Sequence, residues 1–243
     1  METLILSRME KLINILIQRN KMKLFIDTAN LEEIRDAITK GAIQGVTTNP
    51  SLLAKEPKTD FYAHIQKIAD ICTELDDGIP LSVEVFAVEP QAMIRQAKEI
   101  MEKINYSNLN IKIPVGYEEL EAIHELYLAD IPVNCTCCFN ATQMQIAALA
   151  GARYVSLFYN RCLDNQGNAS RILQRTRDFI EENKLECEII AGSIRNAYDL
   201  EDCWINGAHI VTAGYPVIKK SMSHPKTDES VQGFLSDFEG WIR

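Results

Sequence analysis

Short apolar runs alternate with longer amphipathic ones along nearly the whole chain, and this alternation limits the available folds more than any single motif does. The runs that read as strands are Lys23–Asp27, Gly45–Thr47, Leu81–Glu84, Ile111–Pro114, Val133–Thr136, Tyr154–Phe158, Glu188–Ala191 and Ile210–Thr212. Helical periodicity lies between them, at Leu31–Thr39, Phe61–Leu75, Pro90–Ile104, Glu118–Leu128, Thr142–Ala150, Arg171–Asn183 and Ala197–Ile205, with a last helix over Glu229–Trp241. Parallel strands need a crossover between them, so the alternation implies βαβ units. Eight units favour closure into a (β/α)8 TIM barrel over an open doubly wound sheet. The 243 residues suit one such barrel, whose usual length is roughly 250. No Pro/Gly/Ser-rich linker interrupts the series, so residues 22–243 read as one α/β barrel domain with a C-terminal helix. Gly41 and Gly151 sit just past helical runs, as stop residues do, and Pro90 suits a first helical turn.

Residues 1–21 stand apart as a short N-terminal extension. Ile5, Met9, Leu12, Ile13 and Leu16 fall on one helical face, with Arg8, Lys11 and Arg19 elsewhere. The apolar stretch is too short and interrupted to span a bilayer, and no small-residue cleavage site follows it. Lys+Arg 25 against Asp+Glu 34 gives a net charge of −9. That balance speaks against nucleic-acid or anionic-membrane partners, while leaving room for a locally basic pocket. Seven cysteines without a secretory signal read as reduced thiols of a cytoplasmic protein. Cys135 and Cys138 form a C-x-x-C, but no second pair lies nearby and they fall in an apolar strand, where cysteine acts as a small hydrophobe.

Strand alternation locates the chemistry. One face of each barrel strand meets the helices and must be apolar, while the other faces the axis. Val83 and Val85 flank an inward Glu84, and Ile111 and Ile113 flank an inward Lys112. Leu24 and Ile26 outward put Asp27 inward. On the fifth strand Asn134 and Thr136 share the inward face, leaving Cys135 and Cys137 outward. On the sixth, Ser156 and Phe158 point in, and Asn49 follows the second strand. These polar groups gather at the carboxyl ends of the strands, where barrel active sites lie, and their axial burial is costly without partners. A lysine among apolar walls is disfavoured in its charged form, which leaves free amine to attack a carbonyl. Lysine with two carboxylates and several hydroxyl binders suits imine chemistry on a polyol. With no dinucleotide fingerprint or metal cluster in the sequence, neither cofactor nor metal is expected. Arg161 and the pair Ser193 and Arg195 lie on loops after the sixth and seventh strands, a common place for phosphate, which arginine forks bind in a bidentate way. The expected partners are therefore sugar phosphates.

With these residues in view, the sequence resembles the transaldolase family, in its short branch that also holds fructose-6-phosphate aldolases. The matching segments are Phe25-Ile-Asp-Thr-Ala-Asn30, Gly45-Val-Thr-Thr-Asn-Pro-Ser51, Ile111-Lys-Ile-Pro114 and Val133-Asn-Cys-Thr136. They continue through Ala150-Gly-Ala, Tyr154-Val-Ser156, Ser193-Ile-Arg-Asn196 and His224-Pro-Lys-Thr-Asp228. The resemblance implies Lys112 as the Schiff-base lysine, and Asp27 as the group that takes and returns the hydroxyl proton at the cleaved bond. It implies that Glu84, through a water near Thr136, assists imine formation and hydrolysis. Asn49, Asn134 and Ser156 would hold substrate hydroxyls and the amine, and Arg161, Ser193 and Arg195 would bind phosphate. The implied reaction belongs to the pentose phosphate pathway: sedoheptulose 7-phosphate and glyceraldehyde 3-phosphate give erythrose 4-phosphate and fructose 6-phosphate. Ring-like homo-oligomers, pentamers or decamers, are implied as well, with the C-terminal helix reaching a neighbour. Phe234, Phe238 and Trp241 give that helix an apolar stripe, which could equally pack on the chain's own barrel.

Within the branch, the aldolases carry glutamine at the position of Glu84 and tyrosine at that of Phe158, so this chain sides with the transaldolases. Tyr159 is adjacent, but alternation turns it the other way. Leu157 stands where the family usually has proline, Asn160 where many members have glycine and Gly192 where alanine is common, and Cys135–Cys138 is unusually rich in cysteine. Two competing readings are a simple aldolase and a catalytically silent barrel that binds sugar phosphate.

Overall fold

A computed structural model describes residues 22–76 and 78–242. The expected amphipathic segment over residues 1–21 lies outside the described residues. Eight strands close into a barrel in chain order: β1 (Lys23–Asp27), β2 (Val46–Thr47), β3 (Leu81–Glu84), β4 (Leu109–Pro114), β5 (Val133–Cys138), β6 (Tyr154–Phe158), β7 (Glu188–Ile194) and β8 (Ile210–Ala213). All neighbouring pairs are parallel, and β8 returns to β1 with Lys23 opposite Ile210. The (β/α)8 barrel expected from the alternation is the observed fold.

Helices surround the barrel at α1 (Leu31–Thr39), α2 (Pro50–Leu53), α3 (Phe61–Leu75), α4 (Pro90–Lys103), α5 (Glu119–Leu128) and α6 (Ala141–Leu149). The series continues with α7 (Tyr159–Asp164), α8 (Ala169–Glu182), α9 (Ala197–Ile205), α10 (Tyr215–Ser221) and α11 (Pro225–Ile242). The short helices α2, α7 and α10 were not expected, because fewer than about two turns leave too little periodicity to register. Asparagine side chains cap many of the helix starts, at Asn30, Asn49, Asn140, Asn168 and Asn196. Each gives its side-chain oxygen to backbone N–H groups that the first turn leaves unpaired. Among the described residues, no helix is long and apolar enough to cross a membrane.

Two cores follow from strand alternation. Outward residues such as Ile26, Val83, Ile111, Ile113, Val155 and Leu157 are buried beneath the helices. Inside the barrel, Phe25, Tyr154, Ile190 and Ile210 form a separate apolar layer across the axis. A Cβ on Gly45 would stand 2.4 Å from the Phe25 ring, so only glycine lets that ring close the interior. Below this layer Lys23 bonds to Glu188 at 2.8 Å. Above it the axis turns polar.

The fifth strand corrects one expectation. Cys137 does not point outward: it is left-handed at φ 63, at a register shift between Cys135 and Cys138. The extra residue of the bulge breaks the period of two. Cys138 consequently joins Cys135 in the core, and Cys137 turns toward the mouth of the barrel.

Candidate active site

The parallel register sets the site's central row. Glu84 pairs with Lys112 across β3 and β4, and Lys112 pairs with Asn134 across β4 and β5. Three adjacent strands thus present a carboxylate, an amine and an amide side by side at their carboxyl ends. Lys112 is only 6% exposed. Its Nζ donates to the Thr48 carbonyl at 2.8 Å and stands 3.0 Å from Glu84 Oε2. The isoleucines on either side are fully buried against the helices, so the lysine has no way to turn out of the axis.

Asp27 enters from the opposite wall. Its Oδ1 accepts the Thr47 hydroxyl at 2.7 Å, and Thr47 Oγ lies 2.7 Å from Thr212 Oγ. With Thr47 donating to the carboxylate, the hydrogen of the second contact comes from Thr212, and the chain of hydroxyls points at Asp27. Burial raises the Asp27 carboxyl above its ordinary value, against the opposing pull of Lys112 and the Thr47 hydrogen bond. Thr47 and Thr212 were not singled out from the sequence. Both share the inward parity of their strands, which was the available signal, but threonine is too common in strands for the residue type to mark a site.

The amides are oriented by their own bonds. Asn49 accepts the Leu52 N–H through its side-chain oxygen at 3.0 Å, which leaves its amide N–H groups for the cavity. Asn134 donates to Ser82 Oγ at 3.2 Å and accepts from Ser156 Oγ at 2.6 Å, so β3, β5 and β6 are tied through one buried side chain. Thr136 differs from these. Its hydroxyl is buried yet has no hydrogen-bond partner among the described residues, and so remains available to a molecule entering the cavity.

These groups line one cavity of about 290 Å³ at the carboxyl end of the barrel, with Cys137 and Thr212 also on its wall. Of the eleven residues singled out from the sequence, ten lie on that lining. Phe158 packs edge-on against Phe139 at 5.9 Å, and the Arg161 guanidinium sits 4.7 Å over the Phe158 ring. Arg161 forms no ion pair among the described residues, so its charge faces the cavity uncommitted. Ser193 reaches the lining through a second left-handed residue, φ 61, at a register shift in β7. Arg195 is the exception. It is not on the lining, and its guanidinium is spread against Asp164 in a bidentate pair, 2.8 Å on one side. Tyr159 points away from the cavity, its hydroxyl bonded to Asp202.

Comparison with known proteins places the chain in a family. A family model described as Transaldolase/Fructose-6-phosphate aldolase matches residues 24–241. A probable transaldolase of Alkaliphilus metalliredigens is 40% identical over 222 residues, covering 91% of this chain and 100% of that protein. One from Clostridium botulinum is 42% identical over 219 residues, covering 90% and 99%. Among solved structures, a flavocytochrome b2 variant with sulfite bound aligns over 79% of this chain, with TM-score 0.56 and 13% identity. This chain spans 57% of that one, and at such identity the likeness concerns the barrel alone. The family match covers nearly every residue of the barrel and its C-terminal helix, and the curated relatives match almost end to end: the chain belongs to the transaldolase/fructose-6-phosphate aldolase family.

Proposed function

We propose that the chain is a transaldolase, moving a dihydroxyacetone unit between sugar phosphates through an imine on Lys112. The observation that carries this reading is the buried lysine, 3.0 Å from Glu84 and in one cavity with Asp27, Thr136 and Arg161. In this scheme the amine attacks the ketose carbonyl, with Glu84 moving protons, and water leaves as the imine forms. Asp27 then takes the proton of the hydroxyl on the fourth carbon. The bond to the third carbon breaks, its electrons are drawn into the imine, and the aldose leaves. The three-carbon enamine attacks the acceptor aldehyde, Asp27 returns the proton to the new hydroxyl, and water releases the product. Thr136, with an uncommitted hydroxyl beside the lysine, is the group suited to hold that water. Asn49, Asn134 and Ser156 would bind hydroxyls, and Arg161 with Ser193 the phosphate. Arg195 can join them only by giving up Asp164.

Glu84 and Phe158 favour transfer over simple cleavage, since neither a glutamine nor a tyrosine acid stands at those positions. Fructose 6-phosphate is supplied with and without erythrose 4-phosphate, and glyceraldehyde 3-phosphate is followed. Release that requires the acceptor is the expected outcome; release without it would make the chain an aldolase. Borohydride reduction with a ketose phosphate should add mass at Lys112, and no added mass would leave a silent binder. The same reading extends to homo-oligomers built through α11, whose apolar residues are exposed.

A further inference from the structure

Behind the basic side of the cavity lies a polar junction that this chemistry does not use. Asn160 opens toward the protein rather than the cavity and is 8% exposed. Its Nδ2 donates to Asp199 Oδ2 at 2.6 Å. The same oxygen accepts the backbone N–H of Arg195 at 2.9 Å and of Asn196 at 3.1 Å. Asp199 is fixed in turn, because its own N–H donates to the Asn196 side chain at 3.1 Å in a capping box at the start of α9. One carboxylate oxygen therefore joins the segment after β6 to the segment after β7.

The position of this junction gives it a consequence. The β6–β7 ladder ends at Phe158 opposite Gly192. Beyond that point Arg161 rides on α7 and Ser193 on the bulge of β7, and side chains set the distance between them. Three side-chain links join α7 to the segment after β7; the Tyr159–Asp202 bond meets α9 further along, and the other two lie nearer the cavity. The Arg195–Asp164 pair is about half exposed on both sides, where solvent screening makes an ion pair weak. The Asn160–Asp199 bond is charge-assisted and part-buried, with Asn160 itself buried, and is screened less than the exposed pair.

We propose that Asn160 and Asp199 are positioning residues for the substrate phosphate, holding Arg161 and Ser193 at a fixed separation across the cavity. The inference rests on the reading of that side as the phosphate subsite. Neither residue touches the reacting atoms, so the effect falls on phosphate affinity and not on turnover.

The test is N160A beside D199N, in which the amide oxygen keeps the two backbone N–H groups while the bond to Asn160 loses its charge. Three quantities are measured: KM for fructose 6-phosphate, the inhibition constant for inorganic phosphate, and kcat. For N160A the first two are expected to rise about tenfold, the scale of one lost charge-assisted hydrogen bond, with kcat within about twofold. D199N is expected to raise both in the same direction by a smaller factor, since a neutral acceptor makes a weaker bond. Unchanged phosphate affinity in N160A or a fall in kcat alone overturns the proposal. Should N160A not fold, D199N gives the same comparison, since it keeps an acceptor for the backbone while weakening the bond to Asn160. R161A separates this inference from the reading beneath it. If R161A weakens inorganic phosphate and N160A does not, only the positioning role fails; if neither does, the phosphate subsite itself is wrong.

Discussion

Asp27 is held where its charge is costly, and that cost can be measured. Burial lifts its carboxyl above the ordinary 3.8 more than Lys112 and Thr47 lower it. The folded protein therefore keeps a proton that the unfolded chain has already released. Stability falls as pH rises from the ordinary value through the raised one, and the loss is fully present above it. D27N keeps an acceptor for the Thr47 hydroxyl and removes the charge. It should raise Tm at neutral pH by roughly 2–4 °C, the effect of ~1 kcal/mol in a chain of this size, and the gain should vanish below the ordinary carboxylate value. Turnover should drop by about 10²-fold or more, as for loss of a general base. Melts of both proteins across pH test this, and a D27N less stable at neutral pH would show that the attraction of Lys112 outweighs burial. K112A should remain folded by circular dichroism, take no label on borohydride reduction and show no turnover. Turnover surviving in K112A would exclude the imine. Residues of this kind were legible because a charge flanked by two buried apolar neighbours, as in Ile111-Lys112-Ile113, has one direction left to point. Thr47 and Thr212 were not, because a threonine on a strand is ordinary whichever way it faces.

At the level of elements, two bulges do what regular strands could not. Cys137 and Ser193 are left-handed at the ends of β5 and β7, and both meet the cavity. Alternation failed at Cys137 because an inserted residue reverses every later assignment on its strand, and nothing in Cys-Thr-Cys-Cys announces the insertion. Strain concentrated at a cavity wall differs from strain elsewhere. Lys184 is also left-handed, φ 53, but it ends α8 on the surface. There the N–H of Leu185 reaches the Ile180 carbonyl at 3.0 Å and that of Lys184 the Glu181 carbonyl at 3.1 Å, closing a Schellman turn. That position favours glycine. K184G should therefore stabilise the protein by about 1 kcal/mol, read as a higher urea midpoint at unchanged slope. D130G, at the equivalent turn after α5 with φ 56, should gain less, since aspartate tolerates this conformation better than lysine. Equal or negative effects would mean that glycine's added freedom in the unfolded chain cancels the relief.

For the molecule as a whole, the barrel accounts for its own interior, and the apolar stripe of α11 has no covering partner among the described residues. An ion pair closes the lower axis, an apolar layer fills the middle and the site occupies the top. Past β8 the chain continues into a helix whose apolar side chains, Val231, Phe234, Leu235, Phe238 and Trp241, are all exposed, Phe234 at 71% and Trp241 at 85%. The sequence allowed this stripe to pack on its own barrel, and the structure removes that alternative. It could not have been excluded earlier, because the stripe specifies that something apolar must cover it without saying what. Most stability of a short amphipathic helix comes from packing its apolar face, and a contiguous exposed stripe of this kind marks an interaction surface. A second copy of the chain is the occupant we expect. Light scattering of the wild type should give a multiple of 27.5 kDa, and F234E/F238E should lower it while leaving the barrel folded. The cavity is built from one chain's strands, so the smaller species should retain measurable turnover. A wild-type monomer would remove the expectation, and an unchanged mass in F234E/F238E would move the interface elsewhere on the barrel.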